Sequence, residues 1–160
     1  MDEVMTGGCQ CGAVRFRARR LMDNPHVCHC RMCQKAVGGL FAALVGVKNA
    51  DLTWTAGEPA RFESSEGVDR GFCRDCGTPL FFHRRSGGHV SISIGSFDEP
   101  AAIPLDFEWG IESRLPQIGQ LGHLPGYAST EDADGAALAA ATSRQFPDTD
   151  ADDDPEDYPV

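Results

Sequence analysis

Seven cysteines gathered into three short groups constrain this chain more than any other feature. Cys9 and Cys11 lie in GGCQCG, Cys28, Cys30 and Cys33 in CHCRMC, and Cys73 and Cys76 in CRDCG. A tetrahedral zinc takes four ligands, with sulfur at about 2.3 Å, and two short cysteine pairs from distant segments supply such a closed set. Cys73-Arg74-Asp75-Cys76-Gly77 reads as a knuckle whose glycine can take a positive φ and turn backbone amides toward the sulfurs. Cys9-Gln10-Cys11 lies between Gly8 and Gly12 and can turn as tightly. The two pairs make one complete set, and the triplet is left with an open place for water or a substrate thiol. Spacing alone also permits a shuffled set in which Cys9, Cys11, Cys28 and Cys30 share a metal.

Two other readings of the cysteines compete. A disulfide framework belongs to oxidising compartments, whereas Met1-Asp2-Glu3-Val4-Met5 lacks the basic and apolar regions of a secretory signal, so a reducing cytoplasm is expected. Alternatively both metals are structural, and one of His26, His29, His83, His89 or His123 completes the second site. A histidine beside cysteines is often a supporting or surface group, so His29 is not counted as a ligand.

The segments GGCQCGAVRF, VCHCRMCQKAVGG and GFCRDCGTPLFF, in this order, resemble the family of glutathione-dependent formaldehyde-activating enzymes and the related centromere protein V, over about Thr6 to Pro116. The resemblance implies two zinc ions per chain. A structural one would sit on Cys9, Cys11, Cys73 and Cys76, and a catalytic one on Cys28, Cys30 and Cys33. It further implies a carbon-sulfur lyase acting on a small thiol of the glutathione type and an aldehyde such as formaldehyde. After the third motif, family members often carry a His, then Ser, a basic residue, Pro and an aromatic. Ser113, Arg114 and Pro116 keep that pattern, while Trp109 and Gln117 stand where the His and the aromatic are expected. A zinc-stabilised binding module without catalysis is the alternative, because one fold hosts many functions.

Three thiolates on a dication leave a formal charge of about −1, an environment poor for activating water but suited to holding a further thiolate as a nucleophile. A thiol in the open place would be deprotonated and could add to an aldehyde carbon, giving an S-hydroxymethyl thiol; the reverse step is a lyase reaction. Arg31, Lys35 and Arg114 are the candidate anchors for the carboxylates of such a thiol, since a guanidinium holds a carboxylate bidentately. The net charge of −10 is concentrated at the end of the chain: from Ser129 onward it is −9, leaving about −1 for the rest. No basic stripe suggests nucleic acid, and no segment reads as a membrane span.

At 160 residues the chain fits one domain, from Met1 to Ala128, followed by an acidic tail whose Pro and Asp content predicts disorder. Apolar or alternating runs predict strands at Ala13 to Ala18, Leu40 to Val47, Leu52 to Thr55, Ala60 to Ser64, Leu80 to His83, Val90 to Ile94 and Phe107 to Ile111. The best helix candidate is a turn or two at Arg31 to Val37, with a transient helix at Ala136 to Arg144. The expected fold is mostly β, two packed antiparallel sheets pinned by the structural zinc.

Overall fold

The computed structural model describes residues 3–129, 135–137 and 143–148. Among residues 3–129, ten strands and the helix α1 follow one another as β1 (Met5–Gly8), β2 (Arg15–Ala18), β3 (His26–Cys28), α1 (Arg31–Val37), β4 (Ala42–Lys48), β5 (Leu52–Ala56), β6 (Ala60–Ser65), β7 (Val68–Phe72), β8 (Pro79–Arg84), β9 (His89–Ser93) and β10 (Phe107–Trp109). They form two sheets. A three-stranded sheet has the order β1-β2-β5, and a seven-stranded one the order β10-β3-β4-β9-β8-β7-β6.

Both sheets contribute large apolar side chains to one core. Phe16 of β2 meets Trp54 of β5 edge-on at 5.8 Å, and Trp54 in turn lies 5.9 Å from Phe81 of β8. Val45, Val47, Leu80 and Ile92 from the larger sheet are fully enclosed between them. A smaller cluster of Cys28, Cys33, Ala42 and Leu44 lies where α1 covers β3 and β4.

Three details depart from the sequence reading. β10 runs parallel to β3, with Trp109 opposite Cys28, so the larger sheet is not wholly antiparallel. The chain between β9 and β10 passes through two 3-10 segments and approaches β3 from the same end; a stack of His26 on Phe107 at 4.9 Å accompanies the pairing. Strands β1, β3 and β7 were not among the predicted runs: glycines and polar residues break their patterns, and neighbouring strands supply the pairing. Helix reaches 22%, more than the sequence suggests, because five 3-10 segments join α1 among the described residues.

The clearest predicted strand, Val90 to Ile94, forms as β9 but occupies the middle of the sheet, and Ser91 is buried along with Ile92. Helix α1 matches its predicted bounds, with Cys30 as its N-cap and Gly38 ending it. No helix among the described residues is long and apolar enough to cross a membrane. Most of the predicted tail, including the acidic run from Thr149, lies outside the described residues. Its residues 143–148 return to the domain, where the Phe146 amide donates to Gln10 O at 2.7 Å.

Candidate metal centres

The fold brings the cysteines together in two groups: Cys9, Cys11, Cys73 and Cys76, and separately Cys28, Cys30 and Cys33, with the sulfurs of each group within 4.8 Å of one another. A tetrahedron with sulfur ligands at about 2.3 Å has edges of about 3.8 Å. Cys9 and Cys11 sulfurs are 3.6 Å apart, Cys11 and Cys73 3.8 Å, and Cys28 and Cys30 3.5 Å. These separations fit metal ligands and are far above the about 2.0 Å of a disulfide; all seven cysteines are free. The shuffled set is excluded by the same geometry. No His, Asp or Glu joins either group among the described residues, so a histidine does not complete the triplet.

Local turns aim the sulfurs. In the knuckle, the Gly77 amide donates to Cys73 O at 2.9 Å and the Cys73 amide to Thr78 O at 3.0 Å, closing a turn that requires φ of 79° at Gly77. The Val14 amide donates to Cys9 Sγ at 3.2 Å, and Thr78 Oγ1 lies 3.1 Å from Cys76 Sγ while accepting from the Gln10 amide at 3.0 Å. Each link ties one pair to the other or to its own strand. Burial pushes the Cys9 thiol up to about 12. At Cys76 burial acts in the same upward sense, but hydrogen bonds from Thr78 and Cys11 outweigh it and hold the thiol down to about 6.

The triplet is organised by the entry into α1. Cys28 ends β3, Cys30 caps the helix by accepting from the Cys33 amide at 3.4 Å, and Cys33 lies one turn in. Cys28 and Cys33 are buried, whereas Cys30 is half-exposed. Hydrogen bonding with Cys28, followed by the Arg70 guanidinium, pulls Cys33 down to about 5 against the effect of burial. Contact with Cys33 and burial push Cys28 up. Within each group, then, one sulfur is pulled down from the ordinary thiol range, Cys33 in the triplet and Cys76 in the other.

Around the triplet, Gln34 Nε2 donates to His29 O at 2.7 Å and to Ser113 O at 3.0 Å, tying the helix to the segment after β10. His29 is enclosed, meets Phe41 edge-on at 5.9 Å, and has Nε2 3.4 Å from Glu108 Oε2. The backbone of Trp109 accepts from the His29 amide at 2.8 Å, so the position where a His was expected serves the triplet through its carbonyl.

The predicted anchors separate. Arg31 and Lys35 share a shallow cleft of about 380 Å³ with Phe62, Ser64 and Arg70. A second cleft of about 400 Å³ continues from it past Arg61, Phe72 and Phe82. Arg114 instead donates to Glu108 Oε2 at 3.1 Å, beside β10. The sequence reading missed Arg70 as a neighbour of the triplet. Its Nη2 donates to Cys33 Sγ at 3.3 Å, a contact between β7 and α1 across 37 positions of the chain.

A mostly β domain carrying one closed four-sulfur centre and one three-sulfur centre is the class of protein defined by this geometry. The chain belongs to the glutathione-dependent formaldehyde-activating enzyme family, whose profile matches residues 4–109. It is similar to a Schizosaccharomyces pombe protein named as an uncharacterized lyase, with 28% identity over 83 residues, 51% of this chain and 58% of that one. The matched segment thus spans little more than half the length of that relative. In fold it resembles a Rhodobacter sphaeroides protein of known crystal structure, with a TM-score of 0.54, 23% identity and coverage of 66% of this chain and 99% of the other.

Proposed function

We propose that the protein is a zinc-dependent carbon-sulfur lyase that forms or cleaves the adduct of a small carboxylate-bearing thiol, glutathione or a relative, with formaldehyde or a related aldehyde. The observation that carries this reading is the triplet itself: three converging sulfurs with no fourth His, Cys, Asp or Glu donor among the described residues. Zinc held by Cys28, Cys30 and Cys33 would supply a fourth place at which an incoming thiol is deprotonated. Cys30, the most open of the three, borders the side from which substrate would approach.

Arg31 and Lys35 lie on the lip of α1, where they would hold the carboxylates of the thiol and orient its sulfur toward the triplet. Arg114 would serve from the opposite side, once drawn away from Glu108. In the forward direction the thiol sulfur donates an electron pair to the aldehyde carbon, and the carbonyl π pair moves to oxygen, which takes a proton. In reverse that oxygen loses its proton, the carbonyl reforms and the carbon-sulfur bond breaks, returning the pair to sulfur. The four-cysteine centre would hold the fold and take no part in the step.

Exchange NMR on glutathione with formaldehyde measures adduct formation above the uncatalysed background. Wild-type protein is expected to accelerate exchange, and Cys30→Ser to return it to background while retaining the metal of the four-cysteine centre. Full acceleration by Cys30→Ser would overturn the role of the triplet.

A further inference from the structure

Arg70 is a buried cation with an unusual set of partners. Only 6% of its surface is exposed. Nη2 donates to Cys33 Sγ at 3.3 Å, Nε donates to Ser64 Oγ at 3.2 Å, and the guanidinium lies 5.2 Å from the centre of the Phe82 ring. No carboxylate pairs with it among the described residues. A cation enclosed in this way is strongly disfavoured unless an anion faces it, and the group it faces is the Cys33 sulfur, which would be a thiolate as a metal ligand.

The same side chain lines both clefts that run between α1 and the sheet. The guanidinium thus joins the lining of both clefts to the Cys33 sulfur. Three thiolates on a dication carry about −1, and a fourth thiolate brings the centre to about −2, a charge that a buried site accepts poorly without compensation.

We propose that Arg70 is a positioning residue that offsets the negative charge of the three-cysteine centre through Cys33, allowing an anionic thiol to enter as fourth ligand. The role is electrostatic and separate from carboxylate anchoring. Ser64 and Phe82 hold the guanidinium plane, so the charge stays at the sulfur rather than swinging into the cleft. The inference rests on the reading that the triplet holds a metal with an open place.

The test uses the full chain loaded with cobalt(II), titrated with 2-mercaptoethanol, a thiol with no carboxylate, and followed by sulfur-to-cobalt charge-transfer absorption. Arg70→Gln is expected to weaken mercaptoethanol binding by about 10- to 100-fold, the range for groups that support metal ligands. Arg70→Lys should restore most of the affinity, since it keeps the charge but not the planar fork. Unchanged mercaptoethanol affinity in Arg70→Gln overturns the inference alone, and so does a loss confined to glutathione, which would make Arg70 a carboxylate anchor. A wild-type chain that takes up a single cobalt overturns the open-site reading and this inference with it. If Arg70→Gln does not fold, Arg70→Lys carries the test: near-wild-type binding supports charge compensation, and a loss as large as that expected of Arg70→Gln overturns it.

Discussion

Cys11 and Cys73 stand 62 positions apart in the chain, yet their sulfurs are 3.8 Å from each other. A metal shared between them would tie the three-stranded sheet to the end of β7, and structural zinc contributes about 10 kcal/mol or more in small zinc domains. That equals the whole stability of many domains, about 5–15 kcal/mol. Cys73→Ser is therefore expected to unfold the protein, whereas Cys28→Ser keeps the sheets and loses only its local centre. Thermal unfolding in the presence of zinc separates the two, and the opposite ranking would exchange the roles of the groups.

Metal removal should proceed in two steps. The triplet has one sulfur fewer and a half-exposed Cys30, so a chelator is expected to empty it first, with no change in far-ultraviolet circular dichroism. Loss of β signal should coincide with release of the second metal. Simultaneous release of both, with unfolding, would show that the triplet is as structural as the other centre.

Phe146 covers the turn that carries the first cysteine pair. Its ring packs so closely on Gly12 that a Cβ there would fall 2.3 Å from the ring, and Arg15 lies 5.1 Å from the ring centre. Arg15 is itself held by a bidentate pair with Asp98, at 2.9 and 2.7 Å. Cys11 is the exposed member of its group, and the strap shields its turn from one side. Phe146→Ala is expected to speed chelator extraction from the four-cysteine centre, by about 10-fold at most given the modest area removed. Extraction kinetics unchanged from wild type would leave the strap without a protective role.

Gly110 sits against the triplet with φ of 69°, and a Cβ there would come 3.1 Å from the Cys30 amide nitrogen. Gly110→Ala combines a left-handed backbone cost of about 1–2 kcal/mol with pressure on Cys30. Weaker metal binding at the triplet, with the four-cysteine centre unaffected, is the expected result in a competitive zinc titration. Equal weakening at both centres would point to a global effect instead.

The two cysteine groups were readable in the sequence because short cysteine spacings act locally: one turn sets the positions of Cys28, Cys30 and Cys33, and another those of Cys73 and Cys76. Helix α1 was readable for the same reason, its N-cap being Cys30. Strand β9 shows where local pattern stops sufficing. Val90 to Ile94 alternates as a half-buried strand should, but its place between β4 and β8 buries Ser91 too. Strands β3 and β7 are defined mainly by their neighbours, and the Phe146 strap depends on a backbone bond to Gln10 that no pattern announces.

By itself, then, the sequence determined the ligand types, their local turns and the mostly β character, all of which follow from interactions within a few residues. Tertiary structure alone decided which groups act at a distance. It set β10 parallel to β3, so that the Trp109 carbonyl meets the turn of the triplet, and brought Arg70 of β7 to Cys33 of α1. Those contacts depend on sheet order and register, which are chosen by the packing of the whole core rather than by any single segment.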